Sequence, residues 1–132
     1  MSEQKAGCRV GMPASLLLDE FGSQVWAAFG VPPYLVGSAL CGERKPNDID
    51  VRLILADDVY ESMGLGDPTR AHRCAKWVSL VLAYSALGKA MTGLPIDFQI
   101  QQQTRANQTE PGPRSALGMV PSRFAQPEDS SR

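Results

Sequence analysis

The stretch Asp48-Ile49-Asp50-Val51-Arg52-Leu53-Ile54-Leu55 decides the fold class. Its alternation sends Ile49, Val51, Leu53 and Leu55 to one face and Asp48, Asp50, Arg52 and Ile54 to the other. That period of two belongs to a strand covered on one side only. A second stretch repeats the pattern, with Ile96, Phe98 and Ile100 inward and Asp97, Gln99 and Gln101 outward. Tyr34-Leu35-Val36 is a third, short strand that stops at Gly37-Ser38.

Helical spacing fills the intervals between strands. Leu17, Leu18, Phe21, Val25 and Phe29 form one apolar stripe from Ala14 to Phe29, with Ser15 as a cap candidate. Gly30 and the Pro32-Pro33 pair end that helix. Asp67-Pro68 opens a second helix running to about Met91, with Cys74, Val78, Val81, Leu82 and Ser85 inward. The expected fold is α/β in the α+β sense, a small mixed sheet with helices packed on one face. Residues 1–13 read as a flexible leader and 14–101 as the domain. Residues 102–132 carry four prolines and no apolar period, and read as a mostly extended or disordered tail. Ala116 to Val120 is the part of it that could dock on the body.

Composition narrows the class of function. Thirteen basic against fourteen acidic residues in 132 give a net charge of −1, unlike the basic footprint of a duplex-DNA binder. The most apolar run, Trp77 to Gly88, is well short of the roughly 20 residues that span a bilayer. The N-terminal residues lack the basic-then-apolar profile of a secretory signal. Cys8, Cys41 and Cys74 form no CxxC pair and suggest reduced thiols. A cytoplasmic protein with no membrane association is expected.

Asp48, Asp50 and Asp97 stand in strands, where aspartate is disfavoured. Positions two apart on a strand lie about 6.6 Å from each other, and an adjacent strand lies about 4.8 Å away. Carboxylates that close repel unless a cation sits among them; the plain alternative is a solvated strand face. Mg²⁺ is the natural cation, since it takes oxygen ligands from one or two carboxylates and substrate phosphates. Upstream, the amides of Gly37 and Ser38 and the Ser38 hydroxyl could hold phosphate oxygens.

These motifs in their order, YLVGS, nine intervening residues, DID with its apolar strand, one long helix, then PIDFQIQ, resemble the nucleotidyltransferase superfamily typified by DNA polymerase beta. The resemblance covers Tyr34 to Gln101 and is nearest the minimal type, small stand-alone domains that include antitoxins. It implies that Asp48, Asp50 and Asp97 are catalytic and ligate two Mg²⁺ ions, for which Mn²⁺ can substitute. Gly37 and Ser38 would contact the phosphates of a nucleoside triphosphate. The reaction implied is transfer of a nucleoside monophosphate to a hydroxyl acceptor on protein, RNA or small molecule, with release of pyrophosphate. Minimal members often read Gly-Ser-Arg-Ala-Arg-Gly, whereas this chain has Gly37-Ser38-Ala39-Leu40-Cys41-Gly42. Arg52, Arg44 and Lys45 are the cations left to grip the triphosphate. A nucleotide-binding or antitoxin-like partner without efficient turnover is the alternative on the same scaffold. So small a domain also suggests completion by a homo-oligomer or a partner protein.

Overall fold

The computed structural model describes residues 13–37 and 48–118. Helix α1 (Ala14–Phe29) buries Leu18, Phe21, Gly22 and Val25, the i, i+3, i+4, i+7 set of one helical face, with Ser23 buried beside them. Leu17, expected in that stripe, lies on its flank at 41% exposure. The N-cap is Pro13, so Ser15 falls inside the first turn and does not cap it. Gly30 closes the helix in the left-handed conformation, donating its N–H to the Trp26 carbonyl at 2.7 Å.

Strands β1 (Tyr34–Val36), β2 (Ile49–Leu55), β3 (Ile96–Gln102) and β4 (Ser115–Ala116) form one mixed sheet in the order β3-β2-β1-β4. β1 is antiparallel to both β2 and β4, and β2 is parallel to β3. A parallel pair needs a crossover. Here it comprises α2 (Asp57–Ser62), a 3-10 helix (Pro68–Arg73) and α3 (Ala75–Thr92). The expected single helix from Asp67 is therefore two. Asp67 caps its start as anticipated, accepting from the Thr69 N–H at 2.9 Å, but Cys74 is extended and restarts the helix. Within α3 the inward face runs through Trp77, Leu80, Val81, Tyr84 and Gly88, which leaves Leu82, expected inward, outside it at 64% exposure.

Ile49, Val51, Leu53, Leu55, Phe98 and Ile100 pack against α1 and α3 on the apolar side of the sheet. Phe98 lies between Phe21 and Tyr84, with ring centroids 6.1 and 5.3 Å away. α3 also covers the free edge of β3. The Ser85 hydroxyl accepts from the Phe98 N–H at 3.0 Å, and the Trp77 indole donates to the Ile100 carbonyl at 2.8 Å. Trp77 and Tyr84 are thereby committed to edge and core, which blunts the edge against strand addition.

The expectation of an extended tail from residue 102 does not hold over 102–118. Gln102 ends β3, α4 (Gln103–Thr109) follows, and the chain returns to place β4 beside β1. Thr104 ties α4 to α2, donating its N–H and hydroxyl to the Asp57 carboxylate. Leu117 is buried, its N–H bonded to the Pro33 carbonyl at 2.9 Å. The Gly118 N–H donates to the Asp19 carboxylate at 2.7 Å. Backbone hydrogen bonds and one apolar side chain hold this strap, so no hydrophobic period announced it.

Candidate active site

The parallel register of β2 and β3 sets Asp50 directly beside Asp97 on the face away from the helices. β1 completes the row from the other side, with Val36 opposite Asp50. Gly37 follows at φ +77°, and a Cβ there would run into the Asp50 carboxylate. Glycine is favoured by the backbone conformation, and a side chain there would displace the Asp50 carboxylate. Asp48 is exposed just before β2, close enough to act electrostatically on Asp50.

Arg52, one step further along the same face, bridges the pair. Its guanidinium lies 3.6 Å from the Asp50 carboxylate and 3.9 Å from that of Asp97. Nη1 donates to the Asp97 carbonyl at 3.0 Å and the Val51 carbonyl at 3.3 Å. The side chain is only 11% exposed, and among the described residues its buried Nε has no hydrogen-bond partner. Burial pushes the Asp50 carboxyl above the ordinary carboxylate range; Arg52 opposes this, and Asp97 and Asp48 reinforce it.

The site thus holds two carboxylates side by side rather than three. Among the described residues no group of three or more His, Cys, Asp or Glu could hold a metal ion. An all-oxygen pair under a glycine cradle suits a hard cation such as Mg²⁺, whose other ligands come from substrate phosphates and water. Asp48 stands outside the pair.

A cavity of about 190 Å³ lies past Arg52 from the aspartates, neither of which lines it; its wall includes Val36, Gly37, Arg52, Gln101, Glu110 and Arg114. Arg114 is a functional candidate that sequence reasoning missed, because it lies in the stretch read as a loose tail. It is held by Asn107 Oδ1 at 3.2 Å and the Glu110 carbonyl at 3.0 Å, which fixes a second guanidinium at the cavity. On the β3 side, Gln99, His72, Trp77 and Arg105 line a second hollow of about 200 Å³. Ser38, Arg44 and Lys45 lie outside the described residues.

No helix among the described residues is long and apolar enough to cross a membrane. No family model, curated protein or solved structure matches the chain. The reading of the site therefore rests on its own geometry and on the motif spacing.

Proposed function

We propose that the chain is a Mg²⁺-dependent nucleotidyltransferase that moves a nucleoside monophosphate from a nucleoside triphosphate to a hydroxyl acceptor. The observation that carries this reading is the side-by-side pair Asp50 and Asp97 beneath a glycine whose Cβ would fill the site. Asp50 and Asp97 would hold the cation, which would supply charge stabilisation at the transferring phosphoryl group. Gly37, having no side chain, leaves the Asp50 carboxylate its place beside the backbone. Arg114 offers a cation from the cavity wall to the phosphates or the nucleoside. The acceptor oxygen forms a bond to the α phosphorus, the bond to the bridging oxygen breaks, and pyrophosphate leaves with its electron pair. Asp97, the more exposed carboxylate at 39% against 24% for Asp50, is the group to take the acceptor's proton. The same reading takes the protein as cytoplasmic with reduced thiols.

A second reading, a nucleotide-binding partner with little turnover, draws on Arg52, which already lies against both carboxylates, and on the two arginines missing after Gly37-Ser38. Incubation with α-labelled triphosphates, Mg²⁺ and cell extract separates the two. Transfer that drops at least about a hundredfold in Asp50→Asn and Asp97→Asn is expected for the enzyme. Equal labelling by the variants refutes it, and tight triphosphate binding without transfer selects the partner reading.

A further inference from the structure

We infer that Arg52 is the internal counter-ion of this site and competes with the divalent cation for the same two carboxylates. The inference rests on the nucleotidyl-transfer reading for the identity of the cation, and it assigns Arg52 a role in the nucleotide-free protein as well as toward phosphate.

Asp50 and Asp97 are register neighbours on parallel strands, so their charges are held together by the sheet whether or not a cation is present. Like charges so placed destabilise the pair. Arg52 answers that problem from inside the chain. Its guanidinium lies within 4 Å of both carboxylates and is anchored by two backbone carbonyls. Its buried Nε has given up water without gaining a partner among the described residues. An unpaired buried donor is costly.

A cation bonded to those carboxylates would share their immediate surroundings with Arg52. Cation–oxygen bonds add about 2.1 Å, which puts the ion within about 6 Å of the guanidinium if Arg52 stays in place. Even at full water screening, a unit positive charge at about 6 Å weakens binding of a divalent ion about tenfold. Arg52 therefore keeps affinity for the bare cation low. Arrival of an anionic triphosphate gives the guanidinium another partner and opens the pair. Arg52 is in this sense a positioning residue that couples cation entry to nucleotide entry.

The test measures Mn²⁺ binding by electron paramagnetic resonance, together with thermal unfolding with and without Mg²⁺. Arg52→Gln is expected to bind Mn²⁺ at least tenfold more tightly than the unaltered protein. It should melt lower without cation and recover in millimolar Mg²⁺, a rescue that loss of packing alone would not give. Arg52→Lys, which keeps the charge, should bind Mn²⁺ as the unaltered protein does. If Arg52→Gln fails to fold alone, refolding in Mg²⁺ is expected to restore it. The double variant Asp50→Asn/Arg52→Gln, which relieves the charge conflict, should fold without cation and lose the Mg²⁺ response. Equal or weaker Mn²⁺ binding in Arg52→Gln overturns the inference and leaves the proposed function standing. Absence of Mn²⁺ binding in every form, even with a non-hydrolysable triphosphate, overturns the proposed function and the inference with it.

Discussion

Replacing Gly22 by alanine pits helix propensity against packing and tests whether the strap at 115–118 belongs to the fold. In an isolated helix the change would stabilise by about 1 kcal/mol, because glycine is the poorer helix former. Here the added Cβ would lie 2.5 Å from the Leu117 Cβ, 2.8 Å from the Gly118 nitrogen and 2.9 Å from the Leu117 carbonyl carbon. Two of these atoms are backbone, so no rotamer change relieves them. Accommodating such overpacking costs about 1–3 kcal/mol. Releasing the strap instead gives up burial of Leu117, about 1.5–3 kcal/mol, along with its hydrogen bonds. The Asp19 carboxylate would also lose the Gly118 N–H, a charge-assisted bond of about 1.5–3 kcal/mol. After the propensity gain, Gly22→Ala should destabilise the protein by up to about 2 kcal/mol. Urea unfolding measures the net change, and amide hydrogen exchange at Leu117 and Gly118 reports which route is taken. A variant more stable than the parent by the helix-propensity gain, with unchanged exchange at those amides, refutes the docking of this segment on α1.

Gly37→Ala should lose about 1–3 kcal/mol to its positive φ, and should lower triphosphate transfer more than Tm, since the methyl enters the Asp50 carboxylate's space. Transfer and melting measured side by side check this. Phe98→Ala, emptying a fully buried position between two aromatic rings, should cost about 3–5 kcal/mol in urea unfolding without altering the polar face. Two hydrogen bonds from Thr104 hold the Asp57 carboxyl below the usual carboxylate range. A depressed folded value means that this stability is present above the unfolded pKa, about 3.9, and is lost as pH falls through the lower folded one. Thr104→Val should therefore lower the urea midpoint near neutrality and narrow the gap to the parent at strongly acid pH; a gap constant with pH refutes the linkage.

The apolar faces of β2 and β3 were legible because alternation is a local property, the same whichever strand lies alongside. Register is not local. Period two cannot distinguish parallel from antiparallel pairing, nor decide which aspartate of β2 meets Asp97. The Ile49–Ile96 pairing decides it for Asp50 and leaves Asp48 beyond the strand end. Leu82 lies outside the buried stripe because the inward face of α3 runs through Trp77, Leu80, Val81, Tyr84 and Gly88, and an apolar residue one step past that face looks the same in the sequence as one on it. The few apolar residues from Ala116 on marked a segment that could dock, and Ala116 to Gly118 do; Arg114 and helix α4 were illegible because backbone groups and short polar side chains hold them, and every sequence has those. The candidate site was legible for the opposite reason. Aspartates within strands contradict local propensity, and a fold sustains such a conflict where the surroundings offset it. Arg52 is that offset in this chain, and its place on the same strand as Asp50, two residues along, makes the compensation as readable as the conflict.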